Sequence, residues 1–437
     1  MDFNDYNKQY NIGSLRKILS DMGGTPGSKN KTEIIEDILK IESGELMPVR
    51  SRRGRPSCNR KVNLHDSNSN LVSGVLELVP EGYGFLRAVN CDNSLKDSFI
   101  AKPTIKASGL REGDFIEGKI EKKQEAKLPE VVKVVKVNGR SPEGERPRFD
   151  ELMPVYPDRR INLEGEGLSS RVIDMFMPVG YGQRGLIVAP PKTGKTTLLK
   201  DIAMSIEKNH SDIKLFVFLV DERPEEVTDF RQGLDCEVVY STFDCSPEHH
   251  IRIAELFMKR MKRLVESGYD VVVLMDSLTK LVRAYNSVLP PSGKVLTGGL
   301  DPQALVTPKK FFGMARNTEK GSLTVIATTL VETGSRMDDV IFEEFKGTGN
   351  MEIVLSRQLA ERRVFPAIDV KKSGTRKEEL LLKSDELECS YALRRAIDDV
   401  RSVETLLEVM KNTRSNAELV ARRDECSKAI KRQLFEN

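Results

Sequence analysis

One stretch of the chain combines an apolar strand, a glycine-bearing loop and a helical pattern in the order that phosphate binding requires. The segment GLIVAPPKTGKTTLLKDIAM occupies residues 185–204, and its apolar part ends near Ala189. Backbone N–H groups at a loop and helix start bind phosphate oxygens, Lys195 supplies a cation for the β- and γ-phosphates, and Thr196 offers a hydroxyl to Mg²⁺. The residues expected around the nucleotide are Pro191, Lys192, Thr193, Gly194, Lys195, Thr196 and Thr197. We therefore predict a P-loop.

The loop departs from the usual P-loop pattern at its first position. Ala189 stands where a glycine is expected, and two prolines follow it. A methyl group is tolerated there if the backbone keeps a negative φ, so we predict a stiffened variant loop that still binds phosphate. The alternative is a glycine-bearing turn without a nucleotide, which the flanking strand and helix disfavour.

Two acidic residues follow apolar runs, at the strand ends where open parallel sheets place their ligands. Asp276 ends the run VVVLM and is expected to bind Mg²⁺ through water, whereas Glu222 follows FVFLVD and is placed to polarise an attacking water, with Arg223 beside it. Either acid alone has a simpler interpretation as a helix cap. Together with the P-loop they favour nucleotide hydrolysis, and the lack of an Asn-Lys-x-Asp or Thr-Lys-x-Asp motif favours ATP over GTP.

Two later segments offer cations for the negative charge of phosphoryl transfer. SRQLAERRVFPA (356–367) contains Arg363, and SGTRKEEL (373–380) contains Arg376. A cation supplied by a neighbouring subunit would make activity depend on assembly. Spacing alone favours the simpler interpretation, surface salt bridges.

Aromatic and basic residues alternate in the segment EGYGFLRA. On a strand, Tyr83, Phe85 and Arg87 share one face, and Phe99 in the next strand can join them. Stacking on such rings contributes about 1 to 3 kcal/mol per base and tolerates many sequences, while Arg87 can meet a phosphate or a base plane. The alternative is that these rings fill the core of a barrel.

Glycines near these segments suggest close approach of a ligand. Gly82 and Gly84 favour the binding interpretation of the aromatic face, because a missing side chain lets a strand and a ligand come close. The loop PPSGKVLTGGL (290–300) carries Lys294, and ETGSRMDD (332–339) carries Arg336. Flexible loops with one cation each can grip a sugar-phosphate backbone without reading bases, or they can be plain surface turns.

Periodicity along the chain predicts the elements that position these residues. Residues 1–47 predict a small helical module, and residues 48–70 a basic linker that attaches to phosphates or acts as a solvated tether. Residues 71–139 contain five short β-rich runs and predict an OB-like barrel. A linker over 140–160 leads to residues 161–437, where strands alternate with helices, which predicts a RecA-like α/β ATPase domain with a helical C-terminus.

Composition limits the class of protein. The 437 residues are 39% hydrophobic and 31% charged, which is typical of a folded protein of several domains. The net charge is only +3, so affinity for nucleic acid must come from locally placed cations. The six cysteines form no Cys-x-x-Cys pair, the amino terminus is polar and the apolar runs are short, so we expect a cytoplasmic protein and no membrane span.

The motifs taken together resemble the Rho family. GLIVAPPKTGKT, DERPEEVTD, SGKVLTGG, EEFKGTGNMEIVLSR, RVFPAID and SGTRKEELL follow one another in that family's order and spacing, from the helical module to about residue 385. The resemblance implies an ATP-dependent RNA translocase or helicase that binds nascent single-stranded RNA and terminates transcription by an RNA polymerase complex. It also implies a homohexamer with ATP and Mg²⁺ between subunits.

The resemblance assigns roles that spacing alone does not. It implies that Lys192 holds phosphate, that Phe365 stacks on adenine, and that Arg376, supported by Arg363, is a finger supplied in trans. The implied contacts with pyrimidine-rich RNA are Tyr83, Phe85, Arg87 and Phe99 in the barrel and Lys294 and Arg336 in a central pore. The chain departs from the family at Lys280, where relatives usually carry arginine, and in EKKQEAKLPEVV, which lacks the aromatic residue that usually completes the RNA clamp.

Two other functions fit part of the same pattern. One is an RNA-binding assembly that uses nucleotide only as a structural ligand, which multiple-turnover hydrolysis would exclude. The other is a ring ATPase with a different load, such as a rotary-type ATP synthase subunit. The aromatic face argues against the second function, because such an ATPase has no use for an RNA-binding surface and RNA would not change its rate of hydrolysis.

Overall fold

A computed structural model describes residues 31–42, 70–88, 90, 97–121, 128–144, 146–165 and 167–432. Helix α1, Lys31–Glu42, belongs to a unit that is separate from the barrel and the α/β domain, and each unit is described by itself. Its side chains Ile34 and Ile35 are buried. The helix falls within the predicted helical module; the rest of that module and the basic linker up to residue 69 lie outside the described residues.

A closed five-stranded barrel follows, in the order β1-β2-β3-β5-β4. Apolar side chains from every strand, among them Leu76, Leu86, Ile100, Ile116 and Val131, form its small core. The barrel elements are β1 (Leu71–Leu78), β2 (Gly84–Arg87), β3 (Ser98–Ile100), α2 (Lys102–Ala107), β4 (Phe115–Glu121) and β5 (Glu130–Val137). The prediction of an OB-like barrel is confirmed.

The second core is a nine-stranded, mainly parallel sheet with the strand order β11-β10-β12-β14-β9-β15-β16, in which β13 pairs with β14 and β6. A separate pair, β7 with β8, lies outside it. The strands are β6 (Pro154–Val155), β7 (Arg160–Ile161), β8 (Val179–Gly180), β9 (Arg184–Ala189), β10 (Lys214–Glu222), β11 (Glu237–Thr242), β12 (Asp270–Asp276), β13 (Arg316–Thr318), β14 (Ser322–Leu330), β15 (Met351–Val354) and β16 (Gly374–Thr375). This is the predicted α/β ATPase architecture.

Helices cover both faces of the sheet, so its strands are apolar on both sides. Phe216 and Phe218 of β10 point into one core and Val217 and Leu219 into the other, as the alternation of a strand requires. The helices are α3 (Leu168–Phe176), α4 (Lys195–Asn209), α5 (Pro224–Gly233), α6 (Pro247–Glu266), α7 (Leu278–Val288), α8 (Val306–Gly313), α9 (Arg336–Lys346), α10 (Arg357–Glu361), α11 (Ser384–Ala396), α12 (Val400–Lys411), α13 (Asn416–Ala421) and α14 (Arg423–Arg432).

The C-terminal helices pack on the α/β domain. Leu393, Leu406, Met410 and Ile430 are fully buried in the same core as Val217. These helices form the predicted helical C-terminus and are part of the domain's hydrophobic core. Among the described helices, none has the length and apolar character needed to cross a bilayer.

The barrel rests on α6 of the α/β domain. Gly113 has φ +89°, and a Cβ built on it would lie 2.6 Å from the backbone nitrogen of Arg260, so only glycine allows this approach. Lys259 of α6 forms a 2.9 Å ion pair with Glu112 of the barrel. The connecting segment is anchored too, because Phe149 is buried in the α/β core. Part of the predicted 140–160 linker thus belongs to the α/β domain, since its apolar side chains and β6 pack there.

Candidate functional site

The P-loop connects β9 to α4 through two residues in the left-handed conformation, Lys192 with φ 66° and Gly194 with φ 86°. The hydroxyl of Thr193, which is almost completely buried, donates a 2.7 Å hydrogen bond to the Pro190 carbonyl and closes the turn. Ala189 lies in β9 and does not have a positive φ, so its methyl group causes no backbone strain. The loop therefore closes its turn without the first glycine of the pattern.

Around this loop, exposure differs from residue to residue. Gly194, Lys195 and Thr196 are half-buried at the start of α4, where backbone N–H groups lack helical partners. Pro191 and Lys192 of the loop are exposed, and so is Thr197 in the first turn of α4. A phosphate placed at this end of α4 meets free N–H donors and the Lys195 side chain.

An ion pair joins the P-loop to the end of β12. Lys195 Nζ lies 2.6 Å from Asp276 Oδ1, and Asp276 is completely buried. The Thr328 hydroxyl of β14 donates to the same oxygen over 2.8 Å. Asp276 Oδ2 has no hydrogen-bond partner in the part of the chain that the structure describes. The carboxylate thus has one oxygen held in place and one available for a further ligand.

Glu222, at the end of β10, is held by Lys280. Lys280 Nζ donates to Glu222 Oε2 over 2.8 Å and to the Asp221 carbonyl over 2.7 Å. Glu222 is nearly buried, and the backbone N–H of Arg223 donates to its other oxygen over 3.2 Å. Lys280 lies in the first turn of α7, four residues after Asp276. One short segment therefore supplies the carboxylate of Asp276 and the ammonium group that holds Glu222. The ammonium of Lys280 makes single contacts here, where the planar guanidinium of an arginine could form a bidentate fork.

Glu226 is a residue of this site that the sequence analysis missed. The Thr196 hydroxyl donates to Glu226 Oε2 over 3.2 Å. Burial raises the pKa of the Glu226 carboxyl, and the nearby charges of Glu222 and Asp276 raise it further, while Lys195 lowers it. The available signal was its position four residues after Glu222, in the first turn of the following helix.

The aromatic residue predicted to stack on adenine lies against the P-loop. Phe365 is 44% exposed, and two of its ring carbons lie 3.6 and 3.7 Å from the position that a Cβ on Gly194 would take. Its ring is therefore available beside the phosphate loop. Arg363 and Arg376 are both exposed, and Arg223 is exposed at the start of α5.

The three aromatic rings predicted on the barrel form one cluster. The ring centroids of Tyr83 and Phe99 are 5.4 Å apart, those of Tyr83 and Phe85 are 5.8 Å apart, and those of Phe85 and Phe99 are 6.2 Å apart. All three rings are half-buried and lie outside the barrel core, whereas Leu86, between Phe85 and Arg87, points inward. The cluster is on the outside of the barrel, as the binding interpretation requires.

Arg87 contacts this face through a cation–π interaction and is held by two carboxylates. Its guanidinium lies 4.7 Å from the centroid of Phe85. Its Nε donates to Glu77 over 2.5 Å and its Nη1 to Asp97 over 2.6 Å. Two carboxylates therefore neutralise Arg87, which suits contact with a base edge or base plane better than service as a bare phosphate anchor.

The barrel itself accounts for the two glycines beside this face. A Cβ on Gly84 would lie 2.7 Å from the Glu77 carbonyl oxygen of the neighbouring strand. A Cβ on Gly82, which has φ +91°, would lie 2.9 Å from Cε of Lys102. The argument that these glycines make room for a ligand was wrong, because both face other parts of the barrel.

The two basic segments of the α/β domain are neighbours. Gly298, in the Lys294 segment, lies so close to the other segment that a Cβ on it would be 2.6 Å from the Met337 nitrogen. Lys294 and Arg336 are both exposed. Arg336 is the first residue of α9 rather than part of a flexible loop, and the buried carboxylate of Asp338 anchors that helix end by an ion pair with Arg283.

Two sequence families match the chain. The ATP synthase alpha/beta family, nucleotide-binding domain, matches residues 169–375, and the Rho termination factor, RNA-binding domain, matches residues 72–143. Among solved structures, a prototypical ATPase from the type III secretion system of pathogenic bacteria is similar, with 26% identity, a TM-score of 0.51, and coverage of 71% of this chain and 88% of that chain. The assembled ATPase EscN from the enteropathogenic E. coli type III secretion system also has 26% identity and a TM-score of 0.51, over 71% and 74% of the two chains.

Curated relatives match over most of the chain. Transcription termination factor Rho of Bacillus subtilis is 52% identical over 366 residues, which are 82% of this chain and 86% of the relative. Rho of Aquifex aeolicus is 48% identical over 431 residues, or 94% of both chains. Rho of Borreliella burgdorferi is 45% identical over 433 residues, or 95% and 80%. With this identity over most of its length and a match to the Rho RNA-binding domain, this chain belongs to the Rho family of transcription termination factors.

Proposed function

We propose that this protein is an RNA-dependent ATPase that moves along nascent single-stranded RNA and terminates transcription. One observation carries the proposal: two sites lie in one compact unit. The first is a phosphate loop beside two acidic strand ends, and the second is a barrel face made of three aromatic rings and an arginine. A nucleotide used only as a structural ligand would not require Glu222 beside the phosphates. A rotary load would not require the RNA-binding domain that matches residues 72–143.

Hydrolysis follows from the groups at the sheet edge. Bound ATP competes with Asp276 for the Lys195 ammonium, which then stabilises negative charge on the β- and γ-phosphates. Glu222 orients a water and accepts its proton as the water oxygen attacks the γ-phosphorus. The bond from that phosphorus to the bridging oxygen breaks, and ADP and phosphate are released. Phe365, beside Gly194, stacks on the adenine.

The oxygen ligands at this edge fit Mg²⁺. The described residues contain no cluster of three or more His, Cys, Asp or Glu side chains suited to a metal ion. Mg²⁺ usually binds through one or two protein oxygens, waters and substrate phosphates, and that pattern needs no such cluster. The Thr196 hydroxyl and the unpartnered Asp276 Oδ2 are the oxygens that would hold it, directly or through water. When bound, the ion neutralises charge on the phosphates.

RNA binding is divided between two surfaces. The cluster of Tyr83, Phe85 and Phe99 stacks bases, and Arg87 with its carboxylates contacts a base. The neighbouring segments that carry Lys294 and Arg336 contact the sugar-phosphate backbone in a central pore. Movement of these segments during hydrolysis would pull the RNA through the pore and act on the RNA polymerase complex.

Assembly as a homohexamer completes the ATP site in this proposal. The secretion ATPase that resembles this chain is described as assembled, and Arg363 and Arg376 are exposed and thus accessible to a neighbouring subunit. A guanidinium supplied in trans stabilises the transition state of phosphoryl transfer. Such a protein works in the cytoplasm, where nascent RNA and ATP are available.

RNA-stimulated hydrolysis is the first test. ATP turnover by the full chain is expected to rise at least tenfold with poly-cytidine RNA, and Lys195→Ala should abolish the turnover because it removes the phosphate-binding cation. Lys200→Ala is the matched control, because Lys200 lies on the same helix and, within the described part of the chain, forms an ion pair with Asp229 rather than with a residue of the site. Steady-state phosphate release measures the stimulation by RNA and the effect of each substitution. Equal turnover with and without RNA would contradict the proposal.

Lys280 provides a test of how Glu222 is positioned. Lys280→Met keeps an unbranched side chain that is one atom shorter but removes the hydrogen bonds to Glu222 and to the Asp221 carbonyl. A misplaced catalytic group costs on the order of 100-fold, so kcat should fall by about 10- to 100-fold while the KM for ATP changes little. Lys280→Arg should restore most of the activity, because it retains a cation. An unchanged kcat in Lys280→Met, or a change in KM alone, would rule out this positioning role.

The finger in trans can be tested by mixing two inactive variants. Arg376→Ala keeps its P-loop but lacks the finger, and Lys195→Ala keeps the finger but lacks phosphate binding. Mixed rings contain some sites with an intact P-loop and a neighbour's intact arginine, so phosphate release should reappear on mixing. Mixing Lys195→Ala with a double variant that carries both substitutions is the control and should stay inactive. No recovery in the first mixture would argue against Arg376 as the finger.

A further inference from the structure

A carboxylate of the barrel is shared by two arginines that come from different domains. Glu77 accepts from Arg87 Nε over 2.5 Å, and it accepts from Arg252 Nη1 over 3.0 Å at Oε1 and 3.1 Å at Oε2. Arg87 and Glu77 belong to the barrel, whereas Arg252 belongs to α6 of the α/β domain. The α/β domain therefore reaches the charged group that completes the RNA face.

These groups are largely shielded from water. The exposed fractions of the side chains are 29% for Arg252, 15% for Glu77, 13% for Arg87 and 3% for Asp97. Charges at such a boundary interact more strongly than exposed pairs do, because the effective dielectric is lower. The arrangement alternates in sign from Asp97 through Arg87 and Glu77 to Arg252, so that two positive charges balance two negative ones.

We propose that Arg252 is a positioning residue of the RNA site, contributed by the α/β domain. It occupies both oxygens of Glu77 and fixes the carboxylate against which Arg87 is oriented beside Phe85. It also balances the second carboxylate next to a polyanionic ligand. This inference rests on the proposed role of the barrel face in binding RNA.

Removing Arg252 has two physical consequences. Of the three remaining groups, Arg87 carries one positive charge and Glu77 and Asp97 carry two negative ones, so their sum becomes negative where RNA phosphates approach. Glu77 is also free to rotate, so the guanidinium of Arg87 loses its fixed orientation over Phe85. Both effects weaken RNA binding, and both act through Arg87 and its carboxylates rather than through a new contact with RNA.

The chain offers a matched control for the loss of a contact between the domains. Lys259 lies on the same helix and forms its own 2.9 Å ion pair with the barrel, at Glu112. Its barrel partner Glu112 is next to Gly113, in the segment that rests on α6, whereas Glu77 pairs with Arg87 and Arg252. Lys259→Ala thus removes a comparable bridge and leaves the alternating chain of charges intact.

The experiment measures binding of a fluorescein-labelled decacytidine to the full chain by anisotropy. Arg252→Ala should weaken binding about fivefold, as expected for roughly 1 kcal/mol from one partly shielded ion pair. Lys259→Ala should bind like the parent protein, and Arg252→Lys should recover most of the affinity. In an Arg87→Ala background, adding Arg252→Ala should weaken binding less than it does in the parent protein, because only the charge of the carboxylates, and no longer the orientation of Arg87, is affected. Unchanged binding of a fluorescent ADP analogue checks that each variant is folded. If Arg252→Ala does not fold, the comparison of Arg252→Lys with the parent protein still tests the role of the residue.

The outcomes separate this inference from the proposed function. If Arg87→Ala binds decacytidine as tightly as the parent protein does, the barrel face is not the RNA site and the proposed function itself fails at this point. If Arg87→Ala weakens binding but Arg252→Ala does not, only the role of Arg252 is overturned. An equal loss from Lys259→Ala, or a full additional loss from Arg252→Ala in the Arg87→Ala background, would also overturn it.

Discussion

The ion pair between Lys195 and Asp276 is the constraint on which the catalytic edge depends. Asp276 is completely buried, and a buried carboxylate is stable only when a partner compensates its charge. That partner comes from the P-loop, which follows β9. Only β14 lies between β9 and β12 in the sheet, and its Thr328 hydroxyl holds the same carboxylate oxygen as Lys195 does. The sheet order therefore fixes the distance between the phosphate-binding cation and the acidic strand end.

Helix α6 has a comparable role for RNA. It packs on the sheet through Phe257 and carries the barrel through Lys259 and Arg252, so both functional surfaces share one rigid element. A flexible tether between the barrel and the α/β domain would leave the RNA-binding face free to turn away from the ATPase domain. Here the interface contains close backbone packing at Gly113 and ion pairs at several points along the helix. Capture of RNA and hydrolysis of ATP thus belong to one mechanical unit.

Much of this site could be predicted because its signals are local in sequence. The P-loop is one continuous segment, and Glu222 and Asp276 had to meet at the same edge because neighbouring parallel strands end on the same side. Alternation along β2 predicted that Phe85 and Arg87 share one face, but it did not decide whether that face lies inside or outside the barrel. Contacts between distant segments could not be predicted: Arg252 and Glu77 are 175 residues apart, and nothing in either segment indicates the other. The role of Gly84 was misjudged for the same reason, because its tight neighbour is a different strand.

The central claim is that hydrolysis at the sheet edge moves RNA. It is tested most directly by displacement of a labelled DNA strand annealed to an RNA that also carries a single-stranded, cytidine-rich segment. The account predicts displacement by the full chain with ATP and Mg²⁺, and none by Glu222→Gln, which retains the size of the side chain but cannot accept a proton. RNA-stimulated hydrolysis without any displacement, or equal displacement by Glu222→Gln, would contradict it.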